Sequence, residues 1–275
     1  MKIDAHQHFW QYDPVRDTWM TEEVLQRNFM PEDLYPLLRQ QLFDGCVAVQ
    51  ADQSEQETLF LLEQADKFDF IKGVVGWVNL CSADVGDRLE YFSSFPILKG
   101  FRHIIQGEPQ DDFILRKDFS RGIALLNQYD FTYDILIHPR HLKYATEFAQ
   151  RFPNQAFVID HLAKPFIKEG IYEEWKQDIQ AISELPNVSC KLSGMVTEAD
   201  WKNWKEEHFT VYIETVLESF GPDRVMFGSD WPVCLISADY SNVCKLVEHH
   251  TQSLSADEKQ KLWGLNAERF YHLND

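Results

Sequence analysis

No run of about 18 apolar residues occurs anywhere in the chain, which excludes a helical membrane span. A basic segment leading into an apolar core is also missing. The strand-like KIDAH begins at Lys2, and the expectation is a cytoplasmic protein. Cysteine is sparse. Cys46, Cys81, Cys190, Cys234 and Cys244 are scattered, and none forms a CxxC pair. An odd number without framework spacing suits a reducing compartment. Basic residues are few as well: 26 Lys and Arg stand against 44 Asp and Glu, a formal charge of −18. That balance argues against a nucleic-acid partner, which needs a basic surface, and leaves no polybasic membrane patch. No Gly/Ser linker or low-complexity tract divides the sequence. No GxSxG elbow is present, which sets serine chemistry aside.

What is present is an alternation. Strand-like runs occur at 2–8, 45–51, 71–80, 98–105, 132–138, 156–161, 187–194 and 224–230. Most are short, rich in Val and Ile, and apolar on both faces, as buried parallel strands are. Between them lie amphipathic helices. Ala145, Phe148, Ala149 and Phe152 follow helical spacing, as do Trp175, Ile179 and Ile182, and then Ile213, Val216, Leu217 and Phe220. Eight strand–helix units in 275 residues predict an α/β fold, a (β/α)8 TIM barrel, with residues 1–275 as one domain. A doubly wound open sheet is second choice, because HQHFWQYD after the first strand is not a Gly-rich phosphate turn. The stretch after strand one, about 9–34, is long for a βα loop. It carries Trp10, Tyr12, Trp19 and Phe29, either as a wall over the barrel mouth or as a small apolar cluster of its own. Ser255 is a plausible N-cap for a closing helix.

Chemistry in such a barrel sits at the C-terminal ends of the strands. In order, those ends offer His6 and His8, Gln50, Asn79, Arg102 and His103, His138, Asp160 and His161, Lys191 and Ser193, and Asp230 followed by Trp231. In a strand, residues i and i+2 share a face, so His6 and His8 project together with Asp4 in the same row. His161 is read as facing the site and Asp160, its neighbour, as pointing outside the barrel. Imidazoles and a carboxylate brought together bind a divalent metal or position and deprotonate water.

HQH on strand one, IDH followed by LAKP, CKLSG and FGSDWPVC together resemble the amidohydrolase superfamily, in its amidohydrolase-2 branch of L-fuconolactonase-like sugar-lactone hydrolases. VVGWVNL, KGFRHI and FGPDRVMFGSDWP extend the likeness over nearly the whole chain. The resemblance implies a distorted barrel of amidohydrolase type and hydrolysis of a cyclic ester. It also implies metal ligands at His6, His8, His138 and Asp230, with His161 beside them. Strand four departs from the pattern, since Arg102 and His103 stand where two-metal members carry a bridging carboxylated Lys or a Glu.

The expected function is therefore a carboxylic ester hydrolase, a lactonase acting on a small-molecule aldonolactone such as L-fuconolactone. Asp230 is the expected general base, with His161 and His103 as further catalytic candidates. Arg102, Gln50, Asn79, Lys164, Lys191 and Trp231 are the substrate-binding candidates. One divalent cation, zinc or manganese, is the expected cofactor, although a lactone is labile enough for a metal-free route. The alternatives are a metal-dependent decarboxylase of a small acid, or a hydrolase of a non-sugar lactone such as 2-pyrone-4,6-dicarboxylate. A homo-oligomer is compatible with the sequence, which does not fix the oligomeric state.

Overall fold

Eight short strands pair in parallel, each beside the next in chain order. They are β1 (Ile3–Gln7), β2 (Gly45–Val49), β3 (Ile71–Gly76), β4 (Leu98–Ile104), β5 (Thr132–Leu136), β6 (Phe157–Ile159), β7 (Val188–Leu192) and β8 (Val225–Phe227). The computed structural model describes residues 1–273. Valines, isoleucines and small residues make strands that are buried on both faces, so a ring of parallel strands inside a shell of helices is the packing they permit. The ring is distorted at its seam. β8 ends at Phe227, and closure onto β1 runs through the residues that follow it. Asp230 N donates to His6 O at 2.8 Å, and His8 N donates to Trp231 O at 2.7 Å. This nearly closed ring of strands and helices is a (β/α)8 barrel.

The helical shell follows the predicted spacing. α1 (Pro31–Gln40) and α2 (Glu55–Lys67) lead into α3 (Val85–Ser93) and α4 (Lys117–Leu126). α5 (Leu142–Arg151) buries Ala145, Phe148 and Ala149, and α6 (Glu173–Ser183) buries Trp175, Ile179 and Ile182. α7 (Thr210–Phe220) buries Ile213, Val216 and Phe220, and α8 (Tyr240–His250) completes the ring. Ser255 does cap a closing helix, α9 (Ala256–Gln260), where its Oγ accepts from Glu258 N at 3.3 Å. That helix is interrupted by a wider turn, Lys261–Leu265, before α10 (Asn266–Phe270). No helix among the described residues is long and apolar enough to cross a membrane.

The long segment after β1 is both wall and cluster. Trp10 pairs by backbone with Phe29, and Phe9, Phe29 and Trp231 meet edge to face in the core. Trp19 remains half exposed and leans against Trp10 at the barrel mouth.

The barrel interior is layered. Ile3, Ala5, Val47, Val49, Val75, Val158, Met226 and Tyr271 fill its lower part. A register irregularity lies in β1 between Asp4 and Gln7. It brings His6 to the interior although Asp4 is not there. Asp4 instead accepts from Ser229 N at 2.9 Å and from the Tyr240 hydroxyl of α8 at 3.0 Å. The expected row of Asp4, His6 and His8 is thus broken by a bulge.

Candidate active site

At the C-terminal end of the barrel lies a cavity of about 360 Å3, lined among others by His8, Trp19, Arg102, His138, His161, Lys164 and Asp230. That volume falls in the range of small-molecule sites. Its floor is built around one oxygen. Asp230 Oδ1 stands 3.3 Å from His8 Nε2, 3.8 Å from His161 Nε2 and 3.9 Å from His6 Nε2. The His6 and His8 imidazoles meet at 3.2 Å, Nε2 to Nε2.

Each ring is held from behind. His8 Nδ1 donates to Val49 O at 2.7 Å, which fixes the ring with its Nε2 toward Asp230. His161 Nδ1 meets Ser193 Oγ at 2.8 Å. His6 Nδ1 lies 3.2 Å from Asp160 Oδ1, while Arg102 Nη1 approaches His6 Nε2 at 3.3 Å. Each His6 nitrogen thus faces a cation, because Lys191 Nζ also lies 3.1 Å from Nδ1 beside the Asp160 carboxylate. Gly228 makes room for His6, since a Cβ there would stand 2.5 Å from the His6 Cβ.

Burial sets the charges. It pushes His6 well below the usual histidine range and His161 down to about 4, so both rings are neutral at pH 7. Burial alone would raise the Asp230 carboxyl. His161, the His8 hydrogen bond and His6 outweigh it and hold Asp230 well below the usual carboxylate range.

Three ring nitrogens and one carboxylate oxygen are the donor types a zinc-like ion takes. Ligand atoms about 2.0–2.1 Å from a tetrahedral ion are separated from one another by about 3.3 Å. The spacings from Asp230 Oδ1 to the three rings and between His6 and His8, 3.2 to 3.9 Å, bracket that value. His6, His161 and Asp230 also form a group whose ligand atoms lie within 4.8 Å of one another. The donor set fits one divalent cation.

Below this floor lies a layer of buried charge. Arg102 Nη1 donates to Asp160 Oδ2 at 3.0 Å, and Lys191 Nζ lies 3.0 Å from Asp160 Oδ1. Lys191 also donates to Asp134, which accepts from the Tyr271 hydroxyl at 2.8 Å. Burial would raise Asp160, but Lys191, His6 and Arg102 hold it well below the usual range.

Asp160 therefore corrects the sequence reading. Val158 faces the barrel interior, so strand alternation turns Asp160 inward too. His161 arrives differently: the strand has ended at Ile159, and residues 161–164 all adopt positive φ, from 52° to 59°. That left-handed turn swings His161 and Lys164 over the mouth.

Several expected residues stand elsewhere. His103 points away from the barrel interior. It stacks on Phe113, accepts from Trp77 Nε1 at 3.3 Å and donates to Glu108 at 2.7 Å. Asn79 is exposed and caps a turn through Cys81 N, and Trp231 is packed in the aromatic core. Gln50 buttresses Arg102, donating to its carbonyl at 3.1 Å and accepting from its guanidinium. His138 lines the cavity wall. Asp134 and Tyr271 lie outside the sequence motifs that mark the other site residues. A carboxylate inside the apolar run TYDILIH was the available signal for Asp134, whereas nothing local marked Tyr271.

Residues 3–273 match the family model described as amidohydrolase. The chain is 39% identical to an L-fucono-1,5-lactonase of Burkholderia multivorans, over 99% of this chain and 96% of that protein. It is 34% identical, with the same coverage, to an L-fucono-1,5-lactonase of Burkholderia ambifaria. A crystal structure of an amidohydrolase from Burkholderia multivorans with bound zinc superposes with a TM-score of 0.95, at 39% identity and 99% coverage of both chains.

Proposed function

Because the chain belongs to the amidohydrolase family, we propose that it is a lactonase, a carboxylic ester hydrolase that opens an aldonolactone ring, with L-fucono-1,5-lactone the leading substrate. The observation that carries this reading is the convergence of three imidazole Nε2 atoms on an ionised Asp230 at the floor of a sugar-sized cavity. Full-length identity to two lactonases supports the substrate class.

Asp230 is the general base. It takes a proton from a water in the cavity, and the water oxygen attacks the lactone carbonyl. The developing oxyanion needs fixed positive charge, and the Arg102 guanidinium, just beneath the floor and reaching the cavity lining, supplies it. Collapse breaks the bond to the ring oxygen. Asp230 returns its proton to the leaving alkoxide, giving the hydroxy acid. His6 and His8 would hold a divalent cation with Asp230 and His161, and zinc suits three nitrogens and one oxygen best. Such an ion, when bound, polarises the ester carbonyl. Lys164 and Trp19 line the walls and contact the sugar hydroxyls and its C–H face. His103, Asn79 and Trp231 are not among the residues that line the cavity.

The test is hydrolysis of L-fucono-, L-rhamnono-, L-galactono- and D-arabinonolactones, followed by a pH indicator, before and after exhaustive chelation. Turnover of L-fuconolactone above the others is expected. Loss on chelation, with recovery on adding Zn2+ or Mn2+, is expected if the cation takes part. No turnover of any sugar lactone would overturn the reading.

A further inference from the structure

A second set of donors lies directly beneath the first. Ligand atoms of His6, Asp134 and Asp160 also come within 4.8 Å of one another, and all three side chains are fully buried. Asp134 Oδ1 is buried without a hydrogen-bond partner. The centre of this group is filled from within the chain. Lys191 Nζ contacts Asp134 Oδ2, lies 3.0 Å from Asp160 Oδ1 and 3.1 Å from His6 Nδ1, and is itself fully buried. Asp160 Oδ1 meets that ammonium without hydrogen-bond geometry, as an anion meets a charge.

We propose that Lys191 is the resident cation of the barrel floor: its ammonium stands where a second metal ion would bind, and it limits this chain to one divalent cation.

The charge balance supports this. The two carboxylates of the layer face two permanent cations, Lys191 and Arg102, so the floor is neutral without any ion. A buried carboxylate without a counter-charge is costly, so removing one partner of such a pair forces the rest to find another cation or a proton. An ammonium needs its oxygens about 3 Å away, and a divalent ion needs them about 2.1 Å away. Truncating the lysine empties the space between carboxylates that can then close on an ion. Lys191 is also a positioning residue. It holds Asp160 against His6 Nδ1 whatever occupies the site above, as carboxylates behind metal-binding histidines do.

This inference rests on the reading that the upper donors hold one cation, and the experiment separates the two. Full-length wild type, Lys191→Ala and Lys191→Ala/Asp134→Asn are stripped with chelator and titrated with Mn2+ in a calorimeter. Bound metal is then counted after desalting. Lys191→Ala should bind one equivalent more than wild type, and the double variant should return to the wild-type count. Melting of stripped Lys191→Ala should fall below wild type and rise again with Mn2+. If Lys191→Ala does not fold when stripped, refolding it in millimolar Mn2+ should restore the wild-type circular dichroism spectrum. An unchanged count, or a folding defect that Mn2+ does not repair, overturns the proposal. A wild type that binds no metal would refute the one-cation reading instead, and the difference between the variants would still decide this one.

Discussion

His161 and Asp230 face each other across 3.8 Å, and both reach that position from a left-handed backbone, with φ of 56° and 57°. For residues with a Cβ this conformation costs about 1–2 kcal/mol each. Such strain persists where the surrounding structure overdetermines it, and it gathers at functional sites. Here it turns two side chains from the turns after β6 and β8 onto the same point.

Asp230→Asn keeps the size of the side chain and removes the base. We expect kcat to fall by about 10^2–10^4-fold, the scale of a lost general base. The melting temperature should stay near that of wild type. Steady-state hydrolysis with a parallel thermal melt checks both, and retained turnover would remove Asp230 from the mechanism.

Gly194 has a φ of +60°, and a Cβ there would stand 2.5 Å from His161 Nδ1. Gly194→Ala should therefore cost about 1–3 kcal/mol of stability. Because the clash displaces the ring, kcat/KM should drop by roughly tenfold or more. Urea unfolding and kinetics on the same preparation test whether both change.

Arg102 is almost fully buried between Asp160, Gln50 and His6. Arg102→Met leaves Asp160 with one cation fewer. Breaking a buried pair from one side costs about 3–5 kcal/mol. A chemical-denaturation midpoint indistinguishable from wild type would contradict the charge layer described above.

Glu57, in the first turn of α2, accepts from Ala51 N at 3.1 Å beneath the cavity wall. Burial raises its carboxyl from 4.5 to about 7. A raised folded value means that the stabilising protonated form is complete below pH 4.5 and is lost as pH rises through about 7. Between pH 4.5 and pH 8 this one group should cost wild type about 3 kcal/mol relative to Glu57→Gln. Urea unfolding of both proteins across that range should show the two stability curves diverging toward high pH. Parallel curves would sink the assignment.

Much of this was legible in the sequence. Val- and Ile-rich runs between helical stripes gave eight strand–helix units, and the motif residues His6, His8, His161 and Asp230 do meet. The errors have physical causes. Strict alternation placed Asp4 with the histidines, but a bulge intervenes. Strand alternation that counts His161 as a strand residue turns Asp160 outward, whereas β6 stops at Ile159 and a left-handed turn delivers the ring. His103 was grouped with Arg102, yet adjacent strand residues face opposite ways, and only Arg102 enters the barrel. Long-range partners such as Asp134 and Tyr271 are 137 positions apart, and no local pattern encodes their contact.

That last contact ties the barrel floor to the far end of the chain. The hydroxyl that closes the floor beneath His6 is supplied by residue 271, after every strand and every candidate ligand has been made. A growing chain on the ribosome carries all its chemistry by residue 230 but lacks the plug under it for another 41 positions (271 − 230). A protein clipped before Tyr271 would keep every candidate ligand and lose the hydroxyl from which Asp134 accepts beneath them.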